Sequence, residues 1–244
     1  MQTRQLKNYG KSYAEMLPCL PRAVRKRIHR AASRKIRRRL GIWGSLRLLV
    51  VARRRERQFQ AVDLTPVRER GLVSEDFIRE MIRNAALFSA MEERVGQGEA
   101  RAVFHEIMDE VSRPMNEAIL PSAEDLGDDE DAYQAFRDYF LAFFEAEKRD
   151  GLHAYEVVED SEKAIAINVT YCAFCEIPRL LGVVEACDPS CYSDEVFFPG
   201  YLEPVGIRFA RTKTLARGGD CCDFRFEKTE GQSPRRTRTP HPSA

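Results

Sequence analysis

The chain has 244 residues, of which 43% are hydrophobic and 32% are charged, and its formal net charge is +1. A chain of this length buries a large core without disulfide bridges, which excludes the class of small disulfide-rich secreted domains. The first residues lack the apolar segment of a secretory signal peptide, so we expect a cytoplasmic protein whose seven cysteines are thiols.

The near-neutral net charge hides two parts of opposite sign. Residues 1–60 carry 18 Lys and Arg against 2 acidic residues, a balance of +16, and the other 184 residues have a balance of −15. We interpret residues 1–60 as a basic helical arm that is solvated, docked on the acidic part, or bound through residues 20–58 to an anionic membrane surface. Its apolar piece, residues 40–52, is too short to span a bilayer. We expect no nucleic-acid partner, and the oligomeric state stays open.

Helical periodicity follows from residue 74 onward. Ser74 and Asp76 are suitable caps for a first helix, and Gly96 and Gly98 separate it from a second. An acidic loop at 123–131 then leads into a third helix. This helix has aromatic residues at helical spacing, which predicts a face buried in the core: Tyr133, Phe136, Tyr139, Phe140, Phe143 and Phe144.

The pattern then changes from helix to strand. Residues 153–160 and 163–170 predict a hairpin, residues 172–182 a short helix, and residues 205–215 and 221–228 two strands around the Gly218-Gly219 turn. The predicted fold is therefore α+β, with N-terminal helices followed by an antiparallel sheet of at least four strands and a short inserted helix. We assign residues 61–230 to a single α+β domain and residues 231–244 to a disordered tail.

Strand phase singles out two residues of the last hairpin. Arg211 shares a strand face with Ile207 and Phe209, so we expect a buried guanidinium, which needs an anionic partner. Cys222 is the inward member of the Cys221-Cys222 pair. We expect Arg211 and Cys222 to lie opposite one another across the hairpin. On these residues alone, a small buried thiol beside an internal salt bridge remains an alternative.

The other cysteines also resemble halves of a zinc site, since Cys172 and Cys175 have two residues between them, and Cys187 and Cys191 have three. The first pair falls on a predicted helix, however, and such a site leaves the Cys221-Cys222 pair unexplained. We therefore predict no metal and no cofactor.

Histidine-assisted catalysis has less support than thiol chemistry. The 4 histidines lie outside the cysteine-rich segment, and only His105 and His153 are placed to fold back onto it. No serine-hydrolase, phosphate-loop or dinucleotide motif is present.

Three segments taken together resemble the C-terminal half of the L-2-amino-thiazoline-4-carboxylic acid hydrolase family. They are NVTYCAFCEIPRLLG at 168–182, CYSD at 191–194 and RTKTLARGGDCCDFRF at 211–226. The family positions they supply are Asn168, Thr170, Cys172, Cys191, Asp194, Arg211, Thr212, Thr214, Leu215, Gly218, Cys222, Asp223, Phe224, Arg225 and Phe226.

The resemblance implies hydrolysis of a cyclic C=N bond, opening 2-amino-thiazoline-4-carboxylate to a carbamoyl-cysteine. This chemistry needs a thiolate or an activated water, and a cation for the substrate carboxylate. The candidate catalytic residues are Cys172 at a helix N-terminus, Cys191 or Cys222 as partner or alternative nucleophile, and Asp194 as base. The candidate substrate-binding residues are Asn168, Arg211, Thr214 and Asp223.

A second interpretation comes from a different functional class. The same α+β pocket would serve a non-catalytic small-molecule-binding or scaffold protein, with the basic arm attached to a membrane or a partner. Because the arm lies outside the motifs, we expect it to be dispensable for chemistry.

Overall fold

The computed structural model describes residues 6–127 and 131–229 and confirms the α+β fold, with helices first and then a four-stranded antiparallel sheet. The tail prediction for 231–244 lies outside these residues. The helices are α1 Tyr13–Met16, α2 Arg22–Phe59, α3 Thr65–Arg68, α4 Glu75–Val95, α5 Gln97–Ile119, α6 Ala123–Gly127, α7 Ala132–Arg149, α8 Ala173–Leu180 and α9 Asp188–Leu202. The strands are β1 His153–Asp160, β2 Ala164–Cys172, β3 Ile207–Ala210 and β4 Cys222–Lys228.

The basic segment is docked on the rest of the molecule. Helix α2 bends at Gly41, whose φ is 69°, and buries Ala31 and Leu48 against α4 and α5. Its cations meet acidic side chains of those helices, as in the pairs that Arg34 forms with Glu110 and Arg55 with Glu93. Within the described residues, no helix combines the length and apolarity needed to cross a bilayer.

The boundaries of the central helices follow local signals. The Ser74 hydroxyl accepts the Phe77 N–H at the start of α4, and that helix ends where Gly96 takes a φ of 83°. Gly98, in contrast, lies inside α5. Helix α7 buries its aromatic stripe as predicted, with Phe140 packed 4.5 Å from Phe226 between ring centroids.

The sheet order is β1-β2-β4-β3, and all neighbours are antiparallel. The register pairs Val169 with Cys222 and Asn168 with Asp223. Since side chains alternate between the faces of a strand, Val169 and Cys222 face α7 and the core, whereas Asn168 and Asp223 face the other side.

The segment between β2 and β3 contains more helix than the single short one predicted. Helix α9 was missed because it buries polar residues, among them Asp188 and Ser193, so its sequence shows no apolar stripe. Strand β3 also ends at Ala210, and a 3-10 turn at Leu215–Arg217 replaces the end of the predicted strand.

The expectation that every cysteine is a thiol is wrong for one pair. Cys175 and Cys187 form a disulfide, with 5.0 Å between their Cα atoms. Cys175 lies in the first turn of α8 and Cys187 ends the 3-10 turn before α9. The bridge therefore uses one cysteine from each half of the zinc pattern and joins the starts of two helices.

Candidate active site

A cavity of about 810 Å³ opens between the sheet, α7, α9 and the N-terminal helices. Its lining brings together several residues that the sequence had singled out: Cys172, Cys191, Asp194, Arg211 and Cys222.

These side chains converge because of where their elements begin and end. Cys172 is both the last residue of β2 and the N-cap of α8. Cys191 and Asp194 lie about one turn apart on α9. Arg211 directly follows β3, and Cys222 begins β4. The sheet and α9 thus place three thiols, one carboxyl group and one guanidinium on the same cavity.

The structure adds two residues to this group: His153, which had little support from the sequence, and a glutamate that the sequence analysis did not consider. His153 begins β1 and pairs with Cys172 in the β1–β2 register. Its Nε2 lies 3.2 Å from the Cys172 Sγ, and its Nδ1 lies 2.7 Å from Oε2 of Glu147, which is fully buried at the end of α7. A nucleophile, a base and a carboxylate therefore lie in succession, with the imidazole and Glu147 in contact as a close ion pair whose Nδ1 and Oε2 atoms do not have hydrogen-bond geometry.

The surroundings of His153 favour the charged form of its imidazole. Burial alone would lower its pKa, but the adjacent Cys172 sulfur and then Glu147 outweigh burial and raise the pKa well above its usual value. Oε1 of Glu147 also accepts the backbone N–H of Tyr13. The N-terminal segment therefore helps to hold the carboxylate that orients the imidazole.

Two further thiols, those of Cys191 and Cys222, line the same cavity. The neighbouring Cys191 thiol, together with the Leu215 N–H at 3.3 Å and the charge of Arg211, outweighs burial and lowers the pKa of Cys222 to about 7. The neighbouring Cys222 thiol, with burial, raises the pKa of Cys191 well above its usual value. Cys222 is thus the more acidic thiol of this pair.

Arg211 has the anionic partners that its buried position requires. Its side chain is only 2% exposed, and it donates to Asp194 at 2.8 Å, to Glu195 at 3.1 Å and to the Cys191 carbonyl at 2.6 Å. Its Nε is buried without a hydrogen-bond partner among the described residues. Burial raises the pKa of the Asp194 carboxyl despite the opposing charge of Arg211.

The expected cross-strand pair of Arg211 and Cys222 is wrong. Pairing between β3 and β4 ends at Ala210 and Arg225, and the Arg211 guanidinium lies over the Phe224 ring at 5.1 Å from its centroid. Both side chains line the cavity, but the two residues are not paired across the strands.

Three other predicted residues do not line this cavity. Asn168 faces the other side of the sheet, beside Asp223. The Asp223 carboxylate accepts the backbone N–H groups of Thr212 and Lys213 and so holds the hairpin. Thr214 is buried next to a smaller cavity of about 300 Å³, and its hydroxyl has no hydrogen-bond partner within the described part of the chain.

Sequence signals for the two missed residues did exist. His153 opens the strand whose hairpin partner ends at Cys172, so antiparallel pairing brings them together. Glu147 lies three residues after Phe144 on the buried face of an amphipathic helix, where an unpaired carboxylate would be costly. A carboxylate in such a position indicates a polar partner inside the core.

One comparison with known proteins identifies a family. The model of the family described as L-2-amino-thiazoline-4-carboxylic acid hydrolase matches residues 76–226, a span that includes Glu147, His153, Cys172, Asp194 and Cys222. No curated protein matches the chain in sequence. Since the family match covers more than half of the 244 residues, the chain belongs to the L-2-amino-thiazoline-4-carboxylic acid hydrolase family.

Proposed function

We propose that the protein hydrolytically opens the ring of a cyclic C=N compound, a thiazoline or related cyclic amidine such as 2-amino-thiazoline-4-carboxylate, with Cys172 as the nucleophile. The observation that carries this proposal is the line of contacts from the Cys172 sulfur through His153 to Glu147 on the wall of a large cavity. Family membership supports the same reaction class.

The first half of the reaction forms a bond between the Cys172 sulfur and the ring carbon that lies between sulfur and nitrogen. The His153 imidazolium gives its proton to the ring nitrogen, and the ring carbon–sulfur bond breaks because a thiolate leaves more readily than an amine. The open substrate stays attached to Cys172. Glu147 keeps the imidazole oriented throughout this step.

Water completes the reaction. His153, now neutral, takes a proton from a water molecule that attacks the same carbon. As the Cys172 thiolate leaves and the carbonyl group forms, the hydroxyl proton passes to the thiolate of the opened substrate. Substrate plus one water thus yields a carbamoyl-cysteine, and the enzyme returns to its starting state. Arg211, whose Nε has no hydrogen-bond partner within residues 6–127 and 131–229, is suited to donate to the substrate carboxylate, with Asp194 and the Cys191–Cys222 pair completing the polar wall.

The test is turnover of 2-amino-thiazoline-4-carboxylate, measured by release of carbamoyl-cysteine. Cys172→Ser should lower kcat by at least about 100-fold, whereas Cys19→Ser, which changes an exposed thiol that does not itself line the cavity, should leave kcat unchanged. Full activity in Cys172→Ser would transfer the nucleophile role to another residue, with Cys222 as the next candidate.

We also propose that α2 attaches the protein peripherally to an anionic membrane surface, on the cytoplasmic side. Beyond the bend at Gly41, one face of this helix exposes a row of apolar side chains, with Trp43 78% exposed. Arginines flank the row, which suits lipid headgroups. The row consists of Ile42, Trp43, Leu46, Leu49 and Val50.

The single tryptophan makes this attachment measurable. Trp43 fluorescence should shift to shorter wavelength with vesicles that contain phosphatidylglycerol, and this shift should weaken in high salt. Leu46→Glu should reduce co-sedimentation with these vesicles, whereas Val158→Glu, at another exposed apolar position on β1, should not. Equal binding to purely zwitterionic vesicles would contradict the electrostatic part of the proposal.

A further inference from the structure

The cavity is far larger than the thiazoline head group requires. Its volume of about 810 Å³ lies in the range of pockets that hold drug-sized ligands, roughly 300–1,000 Å³. A five-membered ring with one amino and one carboxylate group fills only a small part of such a space.

The chemical groups are concentrated at the end formed by the sheet, where Cys172, His153 and Arg211 meet the cavity. Most of the remaining buried lining is apolar, and it is supplied by the N-terminal segment and by α4, α5 and α7. The buried or partly buried apolar and aromatic residues of this region include Met16, Leu20, Phe88, Met108, Val111 and Phe140.

Charged side chains of α2 and α4 also line the cavity, among them the exposed Asp76 and the half-buried Glu80 of α4. Arg25 and His29 on α2, and Arg79 and Arg83 on α4, all line the cavity and are all exposed. A molecule that enters between α2 and α4 therefore passes a polar opening and an apolar interior before it reaches the Cys172 sulfur.

We infer that the substrate carries its hydrolysable C=N group on a long apolar chain, as in a 2-alkyl-thiazoline-4-carboxylate. This inference rests on the proposed function of Cys172 and His153. An apolar chain displaces water from apolar lining, whereas a small polar substrate leaves that lining unused. The reaction balances as before: Cys172 attacks the ring carbon, the carbon–sulfur bond breaks, and one water releases an N-acyl-cysteine.

The test is a chain-length series of 2-methyl-, 2-hexyl- and 2-undecyl-thiazoline-4-carboxylate with the full-length protein. Burial of each methylene group should raise kcat/KM by about two- to fourfold until the cavity is filled. We expect at least a tenfold gain from methyl to hexyl. A kcat/KM that is independent of chain length, with turnover intact, overturns the inference and leaves the proposed function standing.

A variant inside the apolar region checks where the chain lies. Met108 belongs to the apolar cluster around α2, α4 and α5 and not to the sheet cluster. Met108→Trp should lower kcat/KM for the undecyl substrate at least tenfold more than for the methyl substrate, whereas Met108→Leu should keep the preference for long chains. Equal effects of Met108→Trp on both substrates overturn this placement of the chain.

A binding measurement separates this inference from the catalytic proposal. Cys172→Ala should bind cis-parinarate, a fluorescent fatty acid, and dodecanoyl-cysteine should displace it more strongly than acetyl-cysteine. Length-dependent displacement without turnover of any thiazoline would support the chain site and overturn the proposed reaction. Absence of both probe binding and a chain-length effect would overturn the chain site.

Discussion

His153 lies between two residues from different elements, the thiol of Cys172 at the end of β2 and the carboxylate of Glu147 near the end of α7. Its two ring nitrogens contact Cys172 and Glu147, and both neighbours favour one orientation of the ring and a raised pKa of the imidazole. This arrangement explains why a fully buried glutamate is tolerated in the core, since a buried carboxylate is costly unless it is paired.

The charged imidazole makes stability depend on pH in a predictable direction. The folded-state pKa of His153 is raised above the unfolded value of about 6.5, so its contribution is fully present below about pH 6.5 and is lost as pH rises through the folded pKa. The difference in free energy of unfolding between wild type and His153→Gln should therefore be largest in mild acid. Urea unfolding from pH 5.5 to 9 measures it, and a difference that does not change with pH would contradict the ion-pair description.

Arg211 offers a second test at the residue scale. Arg211→Lys keeps the charge but cannot contact Asp194, Glu195 and the Cys191 carbonyl at once, so we expect a loss of about 1–3 kcal/mol in the free energy of unfolding and a large loss of activity. Arg225→Lys is the matched control, because Arg225 is 40% exposed and pairs with Glu159 and Glu227. Similar activity and stability in the two variants would show that the fork of Arg211 is unimportant.

At the scale of elements, the Cys175–Cys187 bridge ties the start of α8 to the start of α9. Cys172 is the N-cap of α8, and Cys191 and Asp194 lie in α9. The bridge therefore fixes the spacing between the proposed nucleophile and the polar wall of the cavity.

Loss of this bridge should affect stability and activity together. Cys187→Ser opens a short loop, since the cysteines are 12 residues apart, and should cost about 2–4 kcal/mol of unfolding free energy. Dithiothreitol should destabilise wild type and Cys19→Ser but not Cys187→Ser. Thermal unfolding with and without the reductant measures this, and a wild-type melting temperature that does not respond to reduction would contradict the structural role of the bridge.

At the scale of the whole molecule, residues 12–59 are part of the same structure as the cavity. Tyr13 donates its N–H to Glu147, Ser12 donates its hydroxyl to Asp150, and Met16 and Leu20 line the cavity. This packing argues against the expectation that the basic arm is dispensable for chemistry.

Deletion of residues 1–21 should therefore lower turnover per folded molecule, because it removes the N–H that holds Glu147 and uncovers apolar lining of the cavity. We expect a fall in kcat of at least about tenfold, since the orientation of His153 depends on that carboxylate. Deletion of residues 1–5 is the matched control. Unchanged turnover in the longer deletion would restore the view that the arm is separate from the active site.

Local patterns in the sequence determined the helix with the aromatic stripe, the β1–β2 hairpin, the inward positions of Arg211 and Cys222, and the family resemblance. These features depend on residue spacing within one element or on short motifs, which are visible along the chain. Helix α9 was missed because it lacks such a pattern: it buries polar residues, so its apolar residues do not recur at helical spacing.

Only the tertiary structure decided which of these residues meet. The contact of Glu147 with His153, the bridge between Cys175 and Cys187, and the docking of α2 on acidic helices join separate elements, and spacing along the chain does not encode their distances. It also placed Asn168 and Asp223 away from the cavity, because the sheet register sends their side chains to the opposite face from Cys222. Packing and strand register, which depend on the whole chain, therefore selected the candidate site from the residues that the sequence offered.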